Sequence, residues 1–202
     1  MDELGYTLTQ ASVISQMPLP AVHKLIERRL IRPRRVRVGG RTVRVLSREQ
    51  LVYLRLESAG VRLFPMATRR QILRSIESAP EAEAIPVPQG SAIHVHVEEL
   101  RREVDRALSQ LALARDMVTS NPEIMGGTPV FRKTRIPVDL VADMLAQGAS
   151  VEEILEGYPA LNGTQVKLAP LYLRSFPRRG RPSARPWAKR KPFTRTRPIR
   201  SK

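Results

Sequence analysis

Three arginines raise the first chemical question. Residues 34–45, RRVRVGGRTVRV, alternate basic and apolar side chains on both sides of Gly39-Gly40. Two alternating runs around a glycine pair specify a β-hairpin with a two-residue loop. That loop sets Val36 against Val43, Arg37 against Thr42 and Arg35 against Arg44. The pleat then puts Arg35, Arg37 and Arg44 on one face, where like charges repel unless an anion lies across them. A phosphate backbone supplies such an anion; a solvated basic face is the bland alternative. A helix expected over residues 21–30 buries Val22, Leu25, Ile26 and Leu30, and offers His23, Lys24, Glu27 and Arg28 on its other side. Residues 20–48 hold ten Lys/Arg and one Glu, concentrated on the helix and hairpin that a DNA reader would use. The candidate DNA-contacting residues are therefore His23, Lys24, Arg28, Arg35, Arg37, Arg41 and Arg44.

Other spacings carry less chemistry. His94 and His96 share a face of a short strand, but no cysteine and no third ligand stand at a useful spacing, so two exposed histidines are expected rather than a zinc site. Gly126-Gly127 permits a tight turn, yet the other glycines and the Lys-Ser/Thr pair of a phosphate loop are missing. No nucleophile–base pair or carboxylate cluster stands out. The expectation is a binding protein, not an enzyme, with no catalytic residues, no metal and no cofactor.

The surrounding elements follow from caps and periodicity. Thr7-x-x-Gln10 is a capping box opening a helix with Leu8, Ala11 and Ile14 inward. Pro18 and Pro20 break that helix and start the next. Ser47-x-x-Gln50 caps a further helix, with Leu51, Leu54 and Leu56 available for packing. After an interruption at Phe64-Pro65, residues 67–76 read as helix. Residues 79–92, rich in Pro, Ala and Glu, read as a linker. Val97, Leu100, Val104, Ala107, Leu111, Ala114 and Val118 then recur at three- and four-residue steps, a seam that suits either a coiled-coil dimer or internal packing. Further on, Val130 to Ile136 is a basic, β-prone run. Pro137 starts a helix bearing Val138, Val141, Ala142 and Leu145, which Gly148 stops. Ser150-x-x-Glu153 caps another helix, with Val151, Ile154 and Leu155 inward, and residues 164–176 form the last, with Pro170 inside it.

Composition bounds the rest. A chain of 202 residues can form one or two domains with real cores. The absence of cysteine rules out disulfides and thiolate metal sites and fits a reducing cytosol. No apolar run spans a membrane and no signal-peptide core is present, so a soluble cytoplasmic protein is expected. The formal charge of +16 is uneven, because residues 157–202 hold 13 Lys+Arg and no acid, which leaves 35 − 13 = 22 basic against 19 acidic residues elsewhere. From residue 177 onward Pro and Arg alternate without periodicity, so a disordered arm is expected.

Two resemblances extend this reading. The order LTQASVISQ, LPAVHKLIERRLI, hairpin, SREQLVYLRL over about fifty residues resembles the MerR-like winged-helix family. That resemblance implies a helix from Pro20 entering the major groove and a hairpin touching phosphates. NPEIMGGTPVFRKTRIPV followed by a helix, a Gly-Ala-Ser turn and ILEGYPAL resembles the domain of unknown function 433, over roughly residues 115–175. Residues 131–133 depart from that likeness and inherit no role from it. This domain is common in bacterial antitoxins, including VapB-type partners of PIN-domain ribonuclease toxins. The resemblance implies a C-terminal arm that enters an acidic toxin site, with Arg178, Arg179, Arg181 and Arg185 as charged contacts and Trp187 and Phe193 as anchors.

The expected protein is mainly α. Residues 1–78 form a winged helix-turn-helix with a basic hairpin wing, 79–92 a linker, 93–176 a small helical domain with a short hairpin, and 177–202 a disordered toxin-binding arm. Its expected function is that of a type II antitoxin which neutralises a PIN-domain ribonuclease and binds its own operator DNA. It would be a homodimer or a larger hetero-oligomer with toxin, in the bacterial cytoplasm and at the nucleoid when on DNA. The alternative is a stand-alone winged-helix regulator whose basic tail clamps DNA.

Overall fold

The computed structural model describes residues 5–87 and 93–177. The described chain is mainly helical, with small antiparallel sheets. Its described residues divide into two compact units, one within residues 5–115 together with 174–176, the other within residues 116–173.

The first unit begins with β1 (Tyr6–Thr7), which runs straight into α1 (Leu8–Ser15). Thr7 makes the predicted capping box: its Oγ1 accepts from the Gln10 N–H at 3.3 Å and its N–H donates to Gln10 Oε1 at 2.9 Å. Pro18 and Pro20 flank the start of α2 (Leu19–Glu27). This helix ends three residues sooner than the periodicity suggests. Arg29 takes a left-handed backbone (φ +55°), so Leu30 is buried from outside the helix, with its N–H donating to Leu25 O at 3.0 Å. Ile26 is only half-buried.

β2 (Arg34–Val38) and β3 (Arg41–Leu46) form the hairpin, and β1 pairs with the outer side of β3, for a strand order β1-β3-β2. α3 (Arg48–Ala59) starts at the Ser47–Gln50 capping box and buries Leu51, Val52, Tyr53, Leu54 and Leu56. α4 (Met66–Ser78) follows and buries Ile72, Leu73 and Ile76. Between α3 and α4 sits a buried polar cluster. Glu57 accepts from the Tyr53 hydroxyl and from Arg69 Nε at 2.7 Å. Burial holds the Tyr53 phenol above its ordinary pKa, and its hydrogen bond to Glu57 adds to that. Burial is the largest influence on the Arg69 pKa and lowers it, but the hydrogen bonds and charges of Glu57 and Tyr53 together outweigh it and leave the pKa raised.

Residues 79–87 pack into the first unit and do not read as a linker in the structure. β4 (Ala84–Pro86) pairs antiparallel with β5 (His94–His96), and Ile85 and Val87 lie buried in the first unit's core. Proline at a strand end fits a two-stranded ribbon, because the missing N–H faces no partner. The unit boundary therefore falls after Arg115, and the strand and helix expected to open the second domain belong to the first. In that helix, α5 (Glu98–Asp116), Val104 and Leu111 pack into the first unit's core together with the preceding Val97. Internal packing thus accounts for the heptad-like seam up to Leu111, whereas Val118 belongs to the second unit's core.

Polar contacts fix α5 in place. Arg48 meets Asp105 through Nε and Nη2, both at 2.6 Å, and these bonds raise its pKa. Arg55 reaches Glu103 at 2.7 Å. Arg101 is buried and donates to the carbonyls of Ala82 and Ala79, the latter at 2.9 Å. Burial lowers its pKa, since desolvation opposes the charged form.

The second unit pairs β6 (Val118–Thr119) with β7 (Val130–Phe131) and then stacks three helices: α6 (Val138–Ala146), α7 (Val151–Gly157) and α8 (Gly163–Ser175). The last three residues of this stretch, 174–176, cluster with the first unit. The β-prone run ends as strand at Phe131, because residues 132–135 turn. Gly148 (φ +92°) stands just beyond α6, and the Ser150–Glu153 capping box opens α7. Ile154 is buried, with Val151 and Leu155 half-buried beside it. A fourth reciprocal cap, between Asn162 and Gln165, opens α8 with both bonds at 2.9 Å. Val138, Val141, Val166 and Phe131 centre this core.

Candidate nucleic-acid interface

The hairpin has the register that its loop demands. Arg35 pairs with Arg44, Val36 with Val43 and Arg37 with Thr42. Gly39 and Gly40 both take positive φ (+55° and +77°), as a two-residue loop matching strand twist needs. Alternation therefore gathers Arg35, Arg37, Arg44 and Thr42 on one face, all exposed. Among the described residues, no acid and no hydrogen-bond acceptor meets these three arginines.

Arg41 is not part of that set. It pairs with Val38 at the hairpin tip, on the opposite face with Arg34, Val36 and Val43. On α2, Lys24 and Arg28 are exposed and His23 is half-buried. Two further cations, Arg29 and Arg32, are exposed on the segment joining α2 to β2. Both belong to the basic stretch of residues 20–48, but they lie beyond the helix, so its periodicity does not mark them. α2 and the hairpin thus contribute a run of cations on consecutive elements of one unit. Charge of one sign concentrated in this way attracts polyanions electrostatically.

A cleft of about 660 Å³ opens at the foot of the hairpin, lined in part by Arg34, Ser47 and Arg48 and by Leu108 and Leu111 of α5. Its polar groups are engaged structurally: Ser47 caps α3 and Arg48 holds Asp105. His94 and His96 are both exposed, and among the described residues no group of His, Cys, Asp and Glu is placed to hold a metal ion. No described helix is long and apolar enough to cross a membrane. Arg178, Arg179, Arg181, Arg185, Trp187 and Phe193 lie outside the described residues.

The second unit, with its short β6–β7 pair and three stacked helices, corresponds to a known sequence family. The family model for the protein of unknown function DUF433 matches residues 118–172. This segment is a DUF433 domain. The uncharacterized protein y4eO of Sinorhizobium fredii (strain NBRC 101917 / NGR234) is 49% identical over 80 residues, which cover 40% of this chain and 36% of that protein. The chain therefore spans little more than a third of that curated relative. A crystal structure of a DUF433 member from Anabaena variabilis is 34% identical, over 40% of this chain and 76% of that one, with a TM-score of 0.29. Rv2018 from Mycobacterium tuberculosis is 17% identical over 82% of this chain and 96% of its own, with a TM-score of 0.34. The DUF433 match falls inside the second unit, so the basic hairpin and α2 stand outside the domain.

Proposed function

We propose that this protein binds DNA through its first unit and regulates transcription, with no enzymatic activity of its own. The observation that carries this reading is the exposed hairpin face of Arg35, Arg37 and Arg44, none of which meets an acid among the described residues. In this reading β2–β3 is the wing of a winged helix-turn-helix, α1 and α2 are its helix pair, and Lys24 and Arg28 approach the duplex from α2. The wing arginines contact phosphates, so they supply affinity and register rather than sequence choice. Charge reversal of all three, with folding checked by circular dichroism, is expected to weaken binding to DNA from upstream of the protein's own gene. Unchanged affinity would remove the wing assignment.

A second limb makes the regulator an antitoxin. Its support is the DUF433 domain together with the acid-free sequence that follows it. Here the arm from residue 177, with Arg178, Arg179, Arg181 and Arg185 and the aromatic anchors Trp187 and Phe193, neutralises a PIN-domain ribonuclease by pairing guanidinium groups with its metal-binding carboxylates. Affinity capture from the native cells separates the limbs. A nuclease retained by the full chain and lost from a chain ending at Phe176 supports the antitoxin limb. Capture of DNA alone by both leaves a stand-alone regulator.

A further inference from the structure

The turn between Phe131 and Ile136 in the DUF433 domain carries a cation where the backbone disfavours any side chain. Lys133 has φ +60°, a region that glycine enters freely and residues with a Cβ enter at a cost. Three other non-glycine residues share this feature, among them Arg29. Arg29 has a local reason, since it follows the C-terminus of α2, where a cation complements the helix dipole. Lys133 follows a two-residue strand and has no such reason.

The turn itself is tightly held. Phe131, almost fully buried, donates its N–H to Ile136 O at 3.1 Å and accepts from the Thr134 N–H at 3.1 Å and its hydroxyl at 2.9 Å. Thr134 Oγ1 also accepts from the Ile136 N–H at 3.1 Å. Arg132 is tied down twice, by its N–H to Met117 O at 2.8 Å and by its Nε to Asp116 O. Arg132, Lys133 and Arg135 are all exposed, and no acid occurs in residues 124–138. Among the described residues, Lys133 and Arg135 meet no acid. Three cations are thus presented from a rigid support, one of them against the backbone's own preference. Strain kept in this way is a mark of functional positions.

We propose that this turn is a second phosphate-contacting site, through which the DUF433 domain grips the same duplex as the hairpin of the first unit. The proposal rests on the DNA-binding reading above. Two weak contacts in one chain reinforce each other, because the second forms at the high effective concentration set by the first. A polyanion suits the turn better than a single anion does, since three cations in four residues match charge spaced along a strand.

Fluorescence anisotropy on full-length protein, with labelled duplex from upstream of its own gene and a range of salt, tests this. The variants are K133G, K133G/R135Q, K133R/R135K and R35E/R37E/R44E. Each phosphate contact contributes about 0.9 to the slope of log affinity against log salt. K133G/R135Q is therefore expected to bind more weakly, with a slope shallower by about 2, while K133G by itself melts no lower than the parent. K133R/R135K keeps both charges and is expected to keep the slope. If K133G/R135Q matches the parent in affinity and slope while the hairpin variant binds poorly, the second site is refuted and the DNA-binding reading stands. A parent protein that binds no duplex overturns both.

Discussion

Arg35 on β2 lies directly across from Arg44 on β3, guanidinium-bearing side chains on the same exposed face of one hairpin. Like charges in directly opposed strand positions cost stability, and an opposite pair would contribute about 0.2–1 kcal/mol instead. The pair therefore opposes the hairpin's own stability, which makes sense if the face exists to meet an anion. Arg44→Glu is expected to raise the melting temperature slightly at low salt and to weaken DNA binding. Calorimetry and anisotropy on one preparation check the two signs together. A variant that loses stability, or binds DNA as before, contradicts this account.

The hairpin loop offers a purely backbone test. A Cβ at Gly39 or Gly40 would meet nothing within 4 Å, so any cost of substitution comes from φ alone. Gly40→Val is expected to destabilise the hairpin by about 1–2 kcal/mol. Gly39→Asn should be tolerated, because asparagine enters the left-handed region more readily. Urea unfolding of both variants gives the comparison.

Tyr53, Glu57 and Arg69 form a buried network whose members depend on one another. Arg69→Met leaves the Glu57 carboxylate in the core without its cation and is expected to cost about 3–5 kcal/mol. Replacing Arg69 and Glu57 together by apolar residues of similar volume should recover much of that loss, as measured by denaturant unfolding.

The same network has a pH signature at the alkaline end. Folding holds the Tyr53 phenol above its ordinary value of 10.0, first by burial and then through its bond to Glu57. A group raised in the folded state stabilises fully below its unfolded pKa and loses that contribution as pH rises toward the folded value. Stability is therefore expected to decline above about pH 10, more steeply in the parent than in Tyr53→Phe. Equal alkaline slopes would show that Tyr53 stays clear of the titration.

Leu111 tests which side of α5 is covered. It packs in the first unit's core with Val104 and Val97, so Leu111→Ala should cost about 2–5 kcal/mol. The melting temperature of the variant should fall by the same amount at every protein concentration. A loss that grows on dilution would instead mark a subunit interface.

Much of the local structure can be read from residues close in sequence. The Thr7–Gln10, Ser47–Gln50 and Ser150–Glu153 caps each need only four residues, and the hairpin register needs only its two glycines and the alternation around them. The arginine face of the candidate site follows from the same register. The Asn162–Gln165 cap is equally local, with each side chain bonding the other residue's backbone N–H. Lys133, inside the DUF433 segment, takes a left-handed backbone that no periodicity announces.

The amino-acid sequence by itself determined the capping boxes, the hairpin with its shared arginine face, the DUF433 segment and the charge imbalance toward the C-terminus, because each depends on neighbours or on composition. Only the tertiary structure decided that residues 79–87 close a sheet on the first unit, that the α5 seam turns inward up to Leu111, and that Arg69 and Arg101 are buried with partners. Proline, alanine and glutamate read as linker until Ile85 and Val87 find a core to enter. An arginine reads as surface until carbonyls 19 and 22 residues away satisfy it, as those of Ala82 and Ala79 satisfy Arg101. Burial is a property of the acceptor as much as of the residue, and the acceptor lies far off in the chain.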